Sequence, residues 1–198
     1  LPVLAETGEG PGKAGGMGPR EVSFRRLRSS DLDLLHRWLN APHVLRWWYD
    51  EGTSYREIEE RYLPRIEGRE TVKPFAILHQ DNPIGYIQSY PISDGGDEQY
   101  AALVDVEASA GVDLFIGDPR YVHRGLGQYI VRAFLSEHVF SNPGVEVCAI
   151  GPEPKNKAAI RAYEKAGFRF FKTVQIPGKP ETEYLMTLTR KEFEGHFD

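Results

Sequence analysis

Val112–Leu135 reads VDLFIGDPRYVHRGLGQYIVRAFL, a strand, a paired-glycine turn and a helix in immediate succession. A second short apolar run, VEVCAI at 145–150, follows. A strand that passes through a helix into another strand forms a parallel pair, because the helix carries the chain back to the edge it started from. Val112–Ile150 is therefore predicted to be a right-handed parallel crossover, and the fold must contain a sheet with at least one helix against its face.

The rest of the chain fills in that frame. EVSFRRL at 21–27 alternates as a first strand does. In DLDLLHRWLNAP, Leu32, Leu35, Trp38 and Leu39 share a helical face, Ser30 and Asp33 read as a capping-box variant, and Pro42 reads as a stop. Ser54 and Glu57 form a stricter capping box for a second helix, with Pro64 near its end. Two β-rich runs flank Gln80-Asp81-Asn82-Pro83, a hairpin signal. Leu126, Ile130, Phe134 and Leu135 mark the buried side of the crossover helix. Asn156 opens a further helix that Gly167 closes, and FRFFKTVQI and EYLMTLTR finish as strands. The predicted order is strand, two helices, three strands, helix, strand, helix, two strands.

Composition narrows the classes. The chain has 198 residues, enough for one domain with a substantial core. Its net charge is −5, and it lacks the basic surface of a duplex nucleic-acid binder. One cysteine, Cys148, excludes an internal disulfide and fits a reducing, cytoplasmic compartment. No apolar run approaches the roughly 20 residues that span a bilayer, so no membrane role is expected. Residues 1–16 are rich in Gly and Pro and cannot fold alone. They read as a leader or cloning remnant ahead of Met17, or as the end of an upstream fused segment. Residues 17–198 read as one domain. No Cys/His cluster has metal-ligand spacing, so no metal is expected.

Gly125 and Gly127 stand where a strand hands over to a helix. Free amides at a helix start attract anions, and glycines let phosphate oxygens approach the backbone. The competing reading is a tight structural turn. Ile130 stands where a dinucleotide fingerprint needs its third glycine, and no Gly-Lys-Ser/Thr follows, so neither a Rossmann nor a P-loop motif is present. The segment after the next strand supplies the second signal. NKAAIRAYEKAGF, Asn156–Phe168, taken together with RGLG, resembles the GNAT acetyltransferase superfamily. That resemblance implies a GNAT acyl-CoA N-acyltransferase fold: an α/β architecture with a mixed, mostly antiparallel sheet, helices on both faces and a splayed fourth and fifth strand. It implies acetyl-CoA as co-substrate. His123, Arg124, Gly125, Leu126 and Gly127 are then the pyrophosphate loop, Phe115 and Ile116 present backbone to pantetheine, and Asn156 and Tyr163 face the cofactor. Tyr163 is the expected general acid for the CoA thiolate. Val122 departs from the family's usual Gln or Arg three residues before the first glycine, which leaves binding to the amides with Arg124 as helper.

YLPRIEGRETVKPFAILHQDNPIGYIQSY, with RWWYD before it and the tail from Gly167, narrows the resemblance to the aminoglycoside 6′-N-acetyltransferases. The implied partner is a small polycationic aminoglycoside, and the enzyme a monomer or homodimer in the bacterial cytoplasm. Asp113 matches the family's acidic substrate ligand and is expected to bind the acceptor ammonium and take its proton directly or through water. Asp94, Asp97 and Glu98 belong to an acidic run that steers cations. Trp47, Trp48 and Tyr49 are expected to wall the acceptor, with at least one tryptophan given to packing, and Gln88 matches a polar position on the third strand. Gly151 occupies a place where the family has an acidic residue, and Glu153 is the nearby substitute. A siderophore-type hydroxylamine or lysine acyltransferase and a non-catalytic CoA- or drug-binding module are the alternatives.

Overall fold

The computed structural model describes residues 21–48, 51–95, 108–175 and 182–195. The predicted leader, residues 1–16, lies outside them, as do Tyr49, Asp97, Glu98 and the side chain of Asp94. The strands are β1 (Val22–Arg26), β2 (Lys73–His79), β3 (Asn82–Pro91), β4 (Ser109–Ile116), β5 (Val147–Ile150), β6 (Arg169–Gln175) and β7 (Thr182–Thr189). They form one sheet in the order β1-β2-β3-β4-β5-β7-β6. Among the described residues only β4 and β5 pair in parallel; the other neighbours are antiparallel. The single parallel pair is the one that the strand–helix–strand unit demanded. The last strand, β7, inserts between β5 and β6, so the final two strands finish the sheet from the inside.

Three helices, α1 (Leu32–Leu39), α2 (Pro42–Trp48) and α3 (Tyr55–Ile66), lie between β1 and β2. α4 (Leu126–Phe134), continued by a wider π turn at Leu135–Val139, links β4 to β5; α5 (Lys157–Ala166) precedes β6, and α6 (Arg190–Glu194) follows β7. Strand alternation divides the core between the two faces. Phe75 and Ile77 of β2, Ile87 of β3 and Val112 of β4 pack with Ile130, Phe134 and Ile160 of α4 and α5. Their neighbours Ala76, Leu78, Tyr86 and Phe115 pack with Leu35, Trp38, Ile58 and Tyr62 of α1 and α3. The odd-numbered positions of β4 that include Phe115 and Asp113 thus share the face of α3.

Two local expectations are corrected. Three helices, not two, stand between β1 and β2: Pro42 follows the end of α1, as read, but it also occupies the first position of α2, where a missing N–H costs nothing. Ser30 and Asp33 do not box the start of α1. Asp31 instead closes the 3-10 turn Ser29–Asp31 that leads into α1: it accepts from the Arg28 amide at 2.8 Å and takes both Arg25 guanidinium nitrogens, at 2.6 and 2.8 Å. A bidentate, charge-assisted pair outcompetes a neutral serine cap. The other caps form as read: Ser54 with Glu57, and Asn156 accepting from Ala159 at 3.1 Å. At Gly167 the backbone enters the left-handed region, φ 110°. The hairpin turn consists of Gln80 and Asp81, both at positive φ, with His79 opposite Asn82.

Candidate active site

The site begins where β4 and β5 separate. Their pairing runs from Ser109 opposite Val147 to Gly111 opposite Ala149. Beyond that, β4 keeps β3, as far as Gly85 opposite Ile116, while β5 keeps β7, with Ile150 opposite Met186. Pro152 then accepts from the Tyr184 amide at 2.8 Å, which draws the chain further from β4. The parting strands open a cleft of about 900 Å³.

One end of the cleft is built from the glycine turn. Gly125 has φ 77° and His123 φ 60°, so the loop holds two left-handed residues and only one is glycine. A non-glycine residue held there stores strain, a pattern that concentrates at binding sites. Gly125 is the N-cap of α4 and supplies no side-chain cap, whereas α3, α5 and α6 are capped by Ser54, Asn156 and Thr189. The first-turn amides of α4 therefore lack the oxygen that would normally occupy them, and they border the cleft. Arg124 is exposed and donates through Nε to the Arg120 carbonyl at 3.3 Å. A methyl group at Gly125 would meet no atom within 4 Å. Gly125→Ala thus tests backbone conformation alone. Its left-handed penalty of roughly 1–2 kcal/mol is expected to weaken acetyl-CoA binding by up to about tenfold, read by calorimetry, with little change in kcat.

The other end contains Asp113. Gln88 donates through Nε2 to Asp113 Oδ2 at 2.7 Å. Tyr90 makes a second side-chain hydrogen bond to the carboxylate. Its ring lies across Gly111, its cross-strand neighbour, where any β-carbon would collide with it. Behind Gln88, the Tyr86 hydroxyl donates to Oε1 at 2.6 Å and Arg65 Nη1 donates to the same oxygen at 3.3 Å. Asp113 keeps a partly open face but is ringed by protein, and this burial raises its pKa; the bonds from Gln88 and Tyr90 and the charge of Arg65 work in the opposite direction. Burial, and then the nearby Asp113 charge, push the Tyr163 phenol well above the usual tyrosine range. Tyr163 therefore stays protonated at neutral pH.

Asp113, Phe115, Ile116, His123, Arg124, Gly125, Leu126, Gly127, Glu153, Asn156, Tyr163, Trp47 and Trp48 all border the cleft. Gln88 does not; it is 7% exposed and stands behind Asp113, its amide engaged on both ends. Trp48 packs edge-on against Phe115 at 4.9 Å and Tyr86 at 6.1 Å, so it is the tryptophan given to the core. Trp47 carries the Arg46 guanidinium over its ring at 4.8 Å. His43 lies on α2, and its Nε2 is 3.1 Å from the Ile116 carbonyl. To donate there Nε2 must carry the proton, and the bond ties α2 to the splayed end of β4. Two further cleft features escaped the sequence reading. Lys157, Arg161 and Lys165 recur every fourth residue on α5, a spacing that signals one helical stripe. Glu183 of β7 joins Glu153 on the wall where Gly151 supplies no carboxylate.

A sheet split at a β4/β5 wedge, with an uncapped helix start at one end and a buried carboxylate and phenol at the other, defines the class. The chain belongs to the GNAT acetyltransferase family, whose domain profile matches residues 28–176. It is similar to aminoglycoside N(6′)-acetyltransferase type 1 of Klebsiella pneumoniae, at 36% identity over 175 residues, 87% of this chain and 85% of that protein. The crystal structure of AAC(6′)-Ib in complex with coenzyme A and kanamycin superposes with a TM-score of 0.80 at 34% identity, covering 89% of this chain and 99% of that one. A more distant similarity, 24% over 161 residues, joins it to N(6)-hydroxylysine O-acetyltransferase of Escherichia coli, covering 81% of this chain and 50% of that protein.

Proposed function

We propose that this protein transfers acetyl from acetyl-CoA to the 6′-amine of an aminoglycoside, and so confers resistance. The observation that carries the reading is Asp113, a carboxylate fixed by Gln88 and Tyr90 at the mouth of the splay and within electrostatic reach of Tyr163. The acceptor arrives as an ammonium and must lose a proton before it attacks. Asp113 receives that proton, directly or through water, while Trp47, Glu153 and Glu183 offer an aromatic surface and two more carboxylates to the remaining sugar ammoniums. The amine nitrogen bonds to the thioester carbonyl carbon, the carbon–sulfur bond breaks, Tyr163 gives its proton to the departing thiolate, and the second proton that the nitrogen sheds as the amide forms returns to the phenolate directly or through water. The uncapped amides of α4 and the basic stripe of α5 take the phosphates, and a backbone amide of Phe115 or Ile116 polarises the thioester carbonyl. Acetyl-CoA as donor sets the reaction in the bacterial cytoplasm. Among the described residues no helix is long and apolar enough to cross a membrane.

A thiol-release assay with acetyl-CoA across aminoglycosides, hydroxylamine and lysine siderophore precursors and basic peptides tests this. Kanamycin-type substrates are expected to be turned over at least tenfold faster in kcat/KM than any other class, with NMR locating the new acetyl on the 6′-nitrogen. A preference for the hydroxylamine or lysine panel would favour the second reading, which the similarity to the hydroxylysine enzyme supports. Binding without thiol release would favour a non-catalytic module.

A further inference from the structure

A polar chain stands behind Asp113 and crosses three elements. Glu70 accepts from Arg65 Nε at 3.1 Å. Arg65, on α3, donates to Gln88 Oε1 at 3.3 Å, and Gln88, on β3, donates to Asp113 on β4 at 2.7 Å. The two ends of a glutamine amide have nearly the same shape, so its partners decide its orientation. The Tyr86 hydroxyl, also on Oε1 at 2.6 Å, does not decide it, because a hydroxyl donates or accepts equally well. An ionised Asp113 accepts only, and demands Nε2. Once protonated, it can donate to a carbonyl oxygen and the demand disappears. Arg65 differs from both, since a guanidinium donates and never accepts. It requires Oε1 at every pH, and therefore sends Nε2 toward Asp113 at every pH.

We infer that Arg65 is a positioning residue: it locks the Gln88 amide with its N–H on Asp113 and holds that carboxylate in the form and place the acceptor ammonium needs. A cation beside a cation-binding site would ordinarily compete with the substrate. Arg65 avoids this by its place. It does not border the cleft, its charge is paired with Glu70, and it lies over the Tyr62 ring at 5.3 Å. The groups that act on Asp113 from its surroundings are Arg65 of α3, Tyr90 and Gln88 of β3, Cys148 of β5 and Tyr163 of α5, with Tyr86 behind Gln88. Burial pushes both the Cys148 thiol and the Tyr163 phenol upward, so they remain neutral near neutral pH. Arg65 is the cation that opposes the burial of Asp113.

This inference rests on Asp113 as the acceptor ligand proposed above, and the experiment separates the two. The pH profile of kcat/KM for kanamycin is measured in the wild type, Arg65→Gln, Arg65→Met, Arg65→Lys, Tyr86→Phe and Asp113→Asn. The Asp113 carboxyl is titrated in parallel by carbon-13 NMR in those variants that retain Asp113. Loss of the charge and of the amide lock raises the Asp113 pKa, so the acidic limb is expected to move up by about one pH unit in either neutral variant. Below the wild-type midpoint kcat/KM then falls by up to about tenfold, while the KM for acetyl-CoA stays unchanged. Arg65→Lys, charged and donor-only, restores the limb to within a few tenths of a unit. Tyr86→Phe moves it less than either neutral variant. A wild-type limb and carboxyl titration in Arg65→Gln or Arg65→Met, or a larger shift in Tyr86→Phe, overturns the inference. If Asp113→Asn destroys turnover while the neutral variants keep the wild-type limb, only Arg65 has been misassigned. If Asp113→Asn keeps both turnover and limb, the reading of Asp113 itself fails, and this inference with it.

Discussion

Asp113→Ala is expected to abolish acetylation of kanamycin-type substrates at saturating acetyl-CoA, a loss of at least about 10²-fold and up to 10⁴-fold in kcat, the range for a missing proton acceptor. The saturating co-substrate matters, because it keeps the pyrophosphate loop and α5 out of the measurement. Alanine removes the charge that binds the ammonium and also the acceptor for Gln88 and Tyr90. Asp113→Asn narrows the change: it keeps the shape and one acceptor oxygen for Gln88 to meet, and loses the charge and the second acceptor. Both variants should bind acetyl-CoA with near wild-type affinity by calorimetry. Undiminished turnover in either would remove Asp113 from the mechanism. In the wild type the sign of the pH dependence follows from burial. The acceptor-binding form is the ionised one, and burial raises the carboxyl's pKa. kcat/KM is therefore expected to fall as pH drops through a midpoint above the ordinary aspartate value of about 3.9. A midpoint at or below that value would mean that the Gln88, Tyr90 and Arg65 contributions outweigh burial.

Features encoded by neighbours in sequence were legible, and features made by distant pairing were not. Gly125, Asn156 and Gly167 announce themselves locally, because a left-handed residue and a helix cap each need a particular side chain at one position. The wedge followed from the strand–helix–strand unit together with the resemblance carried by NKAAIRAYEKAGF. Asp113 and Tyr163 then fell on its walls. Pro42 follows the end of α1 as read, but proline also starts helices, so α2 behind it went unread. The lock at Gln88 joins α3 to β3 across 23 residues, and no periodicity reports which helix residue will stand above which strand position. Glu183 reaches the cleft because β7 inserts between β5 and β6, an order that strand patterns alone leave open. Gln88 was carried over by motif as a polar position; the structure sets it behind Asp113, with its amide on that carboxylate.

Tyr163→Phe is the complementary test on the donor side. Phenylalanine keeps the ring, which packs at 6.3 Å from Phe168 and is 8% exposed, and removes only the hydroxyl. Stability and acetyl-CoA affinity should therefore change little, while kcat falls by about 10²-fold or more, the low end for a lost general acid. The raised pKa of the phenol sets a further expectation with a definite sign. Burial and the Asp113 charge both disfavour phenolate, so the acid form persists throughout the neutral and mildly alkaline range. The wild-type kcat should then show no alkaline decline from Tyr163 at or below the ordinary tyrosine value of about 10. Asp113→Asn removes one of the two causes and should bring the phenol's titration downward, observable by NMR of ring-labelled tyrosine even where turnover is too slow to follow. An unshifted phenol would separate the two groups electrostatically, and an unchanged kcat in Tyr163→Phe would assign the thiolate's proton to water. If Tyr163→Phe instead weakens acetyl-CoA binding and leaves kcat intact, the hydroxyl is a cofactor contact and the departing thiolate needs no acid from the protein.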